Sequence, residues 1–416
     1  MNFVSDIMFR VIRRLISAES GESFSFVPSK RQTFPRMPGM VDFYVHIPYC
    51  RNHCRWCPYN TRPYCDDEFP SFFENLLSEV RQVISAGALL YGKSLYIGGG
   101  TPTCTGRFLL DFIDCLVKDF GSPSTIAVET SVDELTLDMI SGLKASGVAQ
   151  LSIGVQSFNG KRLQSLGRVV HQTKATDILK SVAHAEFENV NVDLMHDVQR
   201  HSLADLGEDI HCAADNGADQ ITIYPLFRFF TSRGVCMPQI IRRRRFYSFL
   251  WNIMQSNGYV PVSVWSFCRP DAIRKFSSVQ RRLFVGLGPG AATSLEGLFA
   301  FNTFDCKAWM QRISSRLPAY SLEMPISANM RALYDLYWDM YELHLPKVVS
   351  EKLIRNRLLN FIAQGAQFLG LCDDDETLTQ RGAFWIHLMQ NQYVLNYINK
   401  VWSASMRTPF PNMIRL

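Results

Sequence analysis

The sequence predicts an α/β fold in which six parallel strands curl into a partial or full (β/α)6 barrel, followed by a smaller, mainly helical C-terminal domain. From about residue 40, short β-branched or alternating segments recur, and a helix-like amphipathic stretch separates each from the next. Strands separated in this way run parallel, because each intervening helix returns the chain to the same edge of the sheet.

Six segments have the strand pattern: "DFYVHI" (42–47), "SLYIGG" (94–99), "TIAVET" (125–130), "AQLSIGVQ" (149–156), "NVNVDLM" (189–195) and "QITIYPL" (220–226). Between the first two, "FFENLLSEVRQVISA" has apolar residues at helical spacing, and so does "LTLDMISGLKASG" between the third and fourth. The latter stretch ends in Gly147, at the position where glycine commonly terminates a helix.

The strand pattern fades after "FVGLGPGAATS" (284–294), and the chain from about residue 304 is predicted to be mainly helical. We therefore expect an N-terminal amphipathic segment at 1–37, a core domain at 38–303 and a helical domain at 304–416. A winged-helix-like cap is one candidate for the last part.

The composition argues against several classes of protein. The 43 basic and 38 acidic residues give a net charge of +5, which is too small to predict nucleic-acid binding. Eleven cysteines are too sparse for a disulfide scaffold and favour a reducing compartment. Arg10, Arg13 and Arg14 interrupt the apolar N-terminal stretch, so it predicts neither a secretory signal nor a membrane span. We expect a cytoplasmic protein with no transmembrane segment.

Three cysteines, Cys50, Cys54 and Cys57, form a C-x3-C-x2-C pattern in the loop after the first strand. Structural zinc would need a fourth ligand, and the chain offers no second knuckle; His46 or His53 could complete the set, although each fits better as a packing or loop-orienting residue. A cubane iron–sulfur cluster is normally held by four thiolates, so three would leave one iron open to a ligand. Loops at this edge of a parallel barrel usually carry the chemistry.

Other strand ends carry residues suited to a binding site. Gly98, Gly99 and Gly100 allow the backbone to approach a ligand closely. Glu129 is a carboxylate at the end of an otherwise apolar strand, where it needs a partner. Gln156 ends the fourth strand and Asp193 lies in the fifth. Each of these residues alone could be a buried polar group with hydrogen-bond partners inside the protein. Because all of them lie at the same edge of the predicted sheet, together they predict a cavity lined by polar groups.

The C-x3-C-x2-C spacing with Trp56 inside it is typical of radical S-adenosylmethionine (SAM) enzymes. The segments "YVHIPYC", "IGGGTPT", "LSIGVQSFN" with "LGR", and "VGLGPGA" resemble, in order and spacing, the oxygen-independent coproporphyrinogen III oxidase group of that superfamily. The group includes a heme chaperone and the class C methyltransferases and cyclopropanases. The resemblance spans roughly residues 42 to 315 and implies a partial (β/α)6 radical SAM barrel.

The resemblance implies a [4Fe–4S] cluster on Cys50, Cys54 and Cys57, with SAM as the ligand of the open iron. It also implies two sets of SAM-binding residues. The set for the cluster-bound SAM is Tyr44, Trp56, Gly99, Glu129 and Ala292. The set for a second SAM is Gly100, Thr101, Gln156, Arg168, Asp193 and Phe227. No residue is assigned as catalytic.

Three functions fit the resemblance. The first is radical modification of a small molecule, by methyl or methylene transfer or a related reaction. The alternative is tetrapyrrole chemistry, in which Arg228, Arg242–Arg245 or Arg269 would meet propionates; a third is a heme-carrying chaperone. Tyr59 stands where the oxidase carries a further cysteine, and His196 either faces substrate or packs in the core or a loop. The expected partners are the small-molecule substrate and an electron donor such as flavodoxin or ferredoxin; no nucleic-acid partner is expected.

Overall fold

The computed structural model describes residues 24–39, 41–55, 57–168, 172–196, 202–227, 237–272, 282–345, 365, 368–373, 375–394 and 398–416. Its strands are β1 (Ser25–Pro28), β2 (Asp42–Ile47), β3 (Tyr49–Cys50), β4 (Arg62–Pro63), β5 (Ser94–Gly99), β6 (Thr125–Ser131), β7 (Gln150–Gln156), β8 (Asn189–His196), β9 (Gln220–Pro225), β10 (Val260–Pro261), β11 (Ser266–Cys268), β12 (Phe284–Leu287), β13 (Ala292–Leu295), β14 (Leu298–Asn302), β15 (Tyr320–Pro325) and β16 (Ile414–Arg415).

The α-helices of the described residues are α1 (Phe69–Ser85), α2 (Arg107–Phe120), α3 (Leu137–Ala145), α4 (Gly160–Ser165), α5 (Gln172–His184), α6 (Leu203–Asp215), α7 (Met237–Ser256), α8 (Cys306–Ser314), α9 (Ala328–Tyr341), α10 (Gln380–Tyr393) and α11 (Asn399–Ser405). Short 3-10 helices lie at Asp66–Glu68, Pro102–Thr105 and Val132–Glu134. No helix in these parts of the chain is long and apolar enough to cross a membrane.

Six strands form the predicted parallel sheet, in the order β2-β5-β6-β7-β8-β9, and each neighbouring pair is parallel. Their bounds differ from the predicted ones by at most one residue at either end. Within the described residues β2 and β9 do not pair with each other, so the sheet curls without closing. The predicted partial barrel is therefore confirmed.

The helices bury one face against this sheet. In α1 the buried apolar side chains, Phe69, Phe72, Leu76, Val80 and Val83, recur every three or four residues, as the amphipathic pattern predicted. Between the third and fourth strands, α3 begins after Thr136, whose side chain accepts a hydrogen bond from the Met139 N–H. The helix ends before Gly147, whose φ of +80° confirms the predicted glycine stop.

The expectation that strands fade after residue 294 is wrong. Beyond β12, which runs parallel to β2, the sheet continues antiparallel through β13, β14, β15, β1 and β16. β15 lies past the predicted boundary at 303/304 and pairs with β14. "LFAFN" shows no alternation, whereas "YSLEMP" alternates apolar and polar residues, and this strand signal was overlooked. Of the predicted N-terminal segment, residues 1–23 lie outside the described residues.

A buried carboxylate ties the barrel to this antiparallel extension. Glu79 on α1 is fully buried. Its Oε2 accepts hydrogen bonds from the Gly288 N–H at 2.7 Å and the Trp309 Nε1–H at 3.0 Å, and its Oε1 accepts one from the Asn302 Nδ2 at 2.9 Å. Burial raises the pKa of Glu79 to about 7, although these three donors act to lower it. One side chain thus fixes α1, the β12–β13 loop, the end of β14 and α8 relative to one another.

We expect Glu79→Gln to destabilise the fold, because the amide NH2 would face an N–H donor that the carboxylate now satisfies. The cost is about 1–3 kcal/mol for a buried donor left without an acceptor. Urea unfolding at pH 8 measures it, with Glu74→Gln on the exposed face of the same helix as the matched control.

The pH dependence gives a second readout of the same change. The folded-state pKa of Glu79 lies above the ordinary value of 4.5, so the folded protein binds this proton more tightly than the unfolded chain does. The contribution of Glu79 to the free energy of unfolding should therefore fall as pH rises from about 4.5 to about 7, and stay level above that. An unchanged pH slope in Glu79→Gln would contradict this assignment.

Candidate functional site

A cavity of about 560 Å³ brings together the residues predicted from separate strand ends. The predicted residues that line it are Tyr44, Cys50, Cys54, Cys57, Gly99, Gly100, Thr101, Glu129, Gln156, Arg168, Asp193, Phe227 and Ala292. Trp56 lies outside the described residues. Most of the set follow or end parallel strands, the edge at which barrels of this kind carry their sites.

The glycines at the end of β5 position the loop that carries Cys50. A Cβ added to Gly99 would lie 2.6 Å from the Ile47 carbonyl oxygen, and one added to Gly100 would lie 2.6 Å from that of Tyr49 and 2.8 Å from the Cys50 Sγ. Gly99 also has a φ of +129°, which other residues rarely adopt. The N–H of Gly100 donates to the Ile47 carbonyl at 2.9 Å. At these two positions the glycines bring two strand ends into contact.

The three cysteines are half-buried thiols that face this cavity. Burial raises the pKa of Cys50 to about 11 and also raises that of Cys57. The Cys50 Sγ lies 3.6 Å from the Thr101 Oγ1, and the Arg168 Nε–H donates to the Cys54 Sγ at 3.1 Å. Because burial favours the protonated thiols, metal binding here would release protons.

The donor set fits a cluster better than a single zinc ion. Among the described residues no group of three His, Cys, Asp or Glu side chains converges closely enough to hold one metal ion. A cubane cluster attaches each thiolate to a different iron, so its ligands need not converge on one point. His53 is exposed, and its Nδ1 lies 3.4 Å from the Thr61 Oγ1. Both ring nitrogens of His46 form hydrogen bonds, one with the Tyr44 hydroxyl and one with the Asn60 carbonyl.

His46 orients the loop and the neighbouring tyrosine. Its Nε2 lies 2.9 Å from the Asn60 carbonyl oxygen, which can only accept, so Nε2 carries the proton and Nδ1 accepts from the Tyr44 hydroxyl at 2.8 Å. Burial lowers the pKa of His46 to about 4, so the ring is neutral. The Asn60 amide donates to the carbonyls of Pro289 and Phe304, at 3.1 Å each. A packing or loop-orienting role was predicted for His46, and the contact with Asn60 agrees with the second, but Asn60 itself was not predicted.

Glu129 is held by two donors from β5. The Gly99 N–H donates to its Oε2 at 3.1 Å, and the Tyr96 hydroxyl donates to its Oε1. The Tyr96 ring stacks on Tyr44, with centroids 5.9 Å apart. Tyr96 was not predicted as a site residue, because a tyrosine in an apolar strand is expected to pack in the core. The carboxylate of Glu129 thus has a fixed orientation at the cavity wall.

Asp193 belongs to a polar ladder on the barrel's inner face. Its Oδ2 accepts from the Ser152 hydroxyl at 2.7 Å, and its Oδ1 accepts from the Asn191 Nδ2 at 2.9 Å. The Asn191 Oδ1 in turn accepts from the Thr222 hydroxyl at 2.8 Å. Burial raises the pKa of Asp193 to about 7. The carboxylate therefore changes charge close to neutral pH.

Gln156 and Arg168 are positioned by irregular backbone at the end of β7. Gln156 has a φ of +69°, unusual for a residue with a side chain, at a shift in the β7–β8 register. Its Oε1 accepts from the Tyr224 hydroxyl at 2.7 Å. Arg168 donates from Nη1 to the Gly154 carbonyl at 2.7 Å as well as to Cys54. Arg168 therefore contacts the cysteine loop directly.

Several other sequence candidates lie away from the cavity. His196 is buried and stacks on Phe246, with ring centroids 4.1 Å apart. This agrees with the prediction that it packs in the core and not with the one that it faces substrate. Arg269 donates to the carbonyls of Ala218 and Ala214, and neither it nor Arg242–Arg245 lines the cavity. Arg228 lies outside the described residues.

Comparison with known proteins agrees with this geometry. Residues 44–211 match the Radical SAM superfamily. The chain is 25% identical over 291 residues to the heme chaperone HemW of Bacillus subtilis, covering 67% of this chain and 77% of the relative. It is 23% identical to the anaerobilin synthase of Escherichia coli O157:H7, covering 82% and 81%. It is 25% identical to the oxygen-independent coproporphyrinogen III oxidase of Bradyrhizobium diazoefficiens, covering 67% and 68%.

Among solved structures, the coproporphyrinogen III oxidase HemN of Escherichia coli has the same fold. It superposes with a TM-score of 0.71 at 19% identity, covering 86% of this chain and 90% of that one. The likeness covers a larger share of the chain than the superfamily segment at 44–211.

We expect Gly100→Ala to displace the cysteine loop, because the added Cβ would lie under 3 Å from two backbone oxygens and the Cys50 sulfur. Overpacking of this kind costs roughly 1–3 kcal/mol. Thermal unfolding measures the loss, and alkylation followed by mass spectrometry should show faster labelling of Cys50. Gly160→Ala is the matched control, since a Cβ there meets nothing within 4 Å. Equal labelling of Cys50 in the two variants would show that the glycine does not position the loop.

Proposed function

Because this chain is a radical SAM enzyme of the oxygen-independent coproporphyrinogen III oxidase-like group, we propose that Cys50, Cys54 and Cys57 bind its [4Fe–4S] cluster. Membership of the superfamily implies the cluster and SAM as cofactors. The observation that carries the assignment is that the three thiols open into one cavity with Glu129 and the Gly99 end of β5. Held by these three thiolates, the cluster would supply the electron for reductive cleavage of SAM to methionine and a 5′-deoxyadenosyl radical.

The residues around the thiols are suited to holding the cofactor in one pose. Glu129, fixed by Gly99 and Tyr96, presents carboxylate oxygens that can accept from an ammonium group or a ribose hydroxyl. The Tyr44 hydroxyl lines the cavity and donates a hydrogen bond to the His46 Nδ1, which fixes its orientation. Ala292 lines the cavity on β13 without adding bulk. We propose that these residues, with Trp56, bind the cluster-associated SAM.

The electron that the reaction consumes must come from a low-potential donor, for which we propose a flavodoxin or ferredoxin. All described cysteines are free thiols, which supports our proposal that the protein works in the cytoplasm. We also retain 38–303 as the core domain and propose that 304–416 caps the cavity, since Tyr334, Trp338 and Trp402 reach it.

Anaerobically reconstituted protein should hold about four irons per chain, and Cys50→Ala, Cys54→Ala and Cys57→Ala should each abolish this. Cys65→Ala is the matched control, because Cys65 is a half-buried cysteine nearby that does not line the cavity. Reduced protein should release 5′-deoxyadenosine and methionine, even without substrate. Glu129→Ala should weaken SAM binding by roughly tenfold while iron is retained. Loss of iron in Cys65→Ala, with retention in a triad variant, would overturn the ligand assignment.

For the substrate we propose a tetrapyrrole. The relatives named above are a heme chaperone, an anaerobilin synthase and a coproporphyrinogen III oxidase, so similarity favours this class over other small molecules. The cysteine that the oxidase carries two residues after the triad is Tyr59 here, which argues against coproporphyrinogen decarboxylation as the specific reaction.

Methyl or methylene transfer is the second candidate, and the placement of Gln156 and Asp193 favours it. Gln156 is buried and Asp193 is half-buried; both line the cavity and belong to the residue set implied for a second SAM. Gly100, Thr101, Arg168 and Phe227 complete that set. Asp193 would accept from ribose hydroxyls, whereas the contacts of Arg168 in this structure are with Cys54 and Gly154.

Equilibrium dialysis with labelled SAM distinguishes these candidates. Two molecules per chain are expected if the second site exists. Because hydroxyl donors prefer an ionised carboxylate and the pKa of Asp193 is about 7, second-site affinity should rise between pH 6 and pH 8. Asp193→Asn should remove that rise, and Asp177→Asn on the helix α5 is the control. A single bound SAM, and no labelled methyl carbon in any product, would exclude methyl transfer and leave the tetrapyrrole proposal.

A further inference from the structure

The turn that follows the short helix α4 packs directly on the cysteine loop. The Arg55 N–H donates to the Leu166 carbonyl oxygen at 3.0 Å, so the backbone next to Cys54 is joined to this turn. Gly167 has a φ of +76°, and a Cβ added to it would lie 3.2 Å from the Arg55 nitrogen. The residue after this glycine, Arg168, is therefore brought to the side of Cys54.

A buried ion pair holds α4 in place behind this turn. Arg162 of α4 donates from Nη1 to the Asp209 Oδ2 on α6 at 2.8 Å, and both side chains are buried. Asp209 also accepts from the Ser157 hydroxyl and from the Phe158 N–H, at 2.8 Å each. A buried carboxylate with this many partners is fixed in position. The turn that carries Arg168 is thus anchored to the wall of the barrel.

The Arg168 side chain bridges the sheet and the cysteine loop. Its Nη1 donates to the Gly154 carbonyl oxygen at 2.7 Å, and its Nε–H donates to the Cys54 Sγ at 3.1 Å. The side chain is half-buried and lines the cavity. A guanidinium does not lose its proton in proteins, so the group beside the Cys54 sulfur is a permanent cation. Because the group is half-buried, the solvent screens its charge only in part.

A cationic hydrogen-bond donor at this position acts on the charge of a bound cluster. One-electron reduction adds a negative charge, and the ligand sulfurs share it. Hydrogen bonds to the sulfurs and the net charge of the site are among the factors that set the reduction potential of an iron–sulfur cluster. A positively charged donor favours the reduced form and therefore raises the potential.

We propose that Arg168 is a positioning residue that, through the Cys54 sulfur, raises the reduction potential of the cluster. Removal of the guanidinium makes the cluster harder to reduce, so a smaller fraction of it is reduced at any given potential of the electron donor. This inference rests on the proposed function, because it takes Cys54 as a cluster ligand. It deepens that proposal, because it names a residue that governs how readily the electron is accepted.

The test is a redox titration of the anaerobically reconstituted, full-length protein, followed by the electron paramagnetic resonance signal of the reduced cluster. SAM is left out, so that a change in SAM binding by Arg168 cannot produce the result. In Arg168→Met, which removes both the charge and the donors, the equilibrium constant for reduction should fall roughly tenfold. For one electron this is a shift of about 59 mV to more negative potential. Arg168→Lys keeps the charge and should stay within about threefold of the parent.

Arg107→Met is the matched control, because Arg107 is an exposed arginine that does not line the cavity. Its potential should equal that of the parent, and a shift as large as that of Arg168→Met would overturn the inference. Should Arg168→Met hold less iron than the parent, Arg168→Gln carries the comparison, since its amide keeps an N–H for the Gly154 carbonyl. The equilibrium constant for reduction of that variant should fall by roughly two- to tenfold.

Iron content separates the failure of this inference from the failure of the proposed function. If the parent holds no cluster, or if Cys54→Ala retains it, the ligand assignment fails and this inference fails with it. If the parent holds the cluster, and both Arg168→Met and Arg168→Gln have the potential of the parent, the inference is overturned while the ligand assignment stands.

Discussion

The close approach of the ends of β2 and β5 is the constraint on which the site depends. Gly99 and Gly100 lie so near the backbone of Ile47 and Tyr49 that no side chain could be added at either glycine without displacement. This contact fixes the start of the cysteine loop against Thr101 and brings the Gly99 N–H within reach of Glu129. The cysteine loop, the carboxylate and the strand end therefore form one unit, so a shift of one moves the others.

Buried polar groups extend that unit across the sheet. His46 and Asn60 join the cysteine loop to the β12–β13 loop, and Glu79 holds that loop from the other side through Gly288. Each of these groups would be costly to bury alone, and each has several partners. The same principle applies to Asp193, which the ladder through Asn191 and Thr222 orients. Rigid placement of groups that must act on a bound cofactor is the expected benefit of such networks.

The cavity divides its tasks between two parts of the chain. The parallel strands supply thiols, carboxylates and glycines, which suit cofactor binding and radical generation. The antiparallel extension and the helices after it supply aromatic rings and one amide. The two parts of the wall therefore differ in chemistry, polar on the side of the parallel strands and aromatic on the other.

The sequence alone determined the six parallel strands, because their apolar periodicity and the amphipathic helices between them are local properties. The cysteine spacing and the polar residues at strand ends predicted part of the candidate site, the family resemblance implied the rest, and the described ones line one cavity. Of the strands missed after residue 294, β15 and β16 pair with β1, which is far away in the sequence, whereas β14 forms a hairpin with β13 whose signal was overlooked. Tyr96 and the aromatic rings of the cavity wall were missed for another reason: a tyrosine or tryptophan in an apolar segment is equally suited to packing or to a cavity wall. Only the tertiary structure decides which of these it becomes, since the choice depends on whether another element covers the ring.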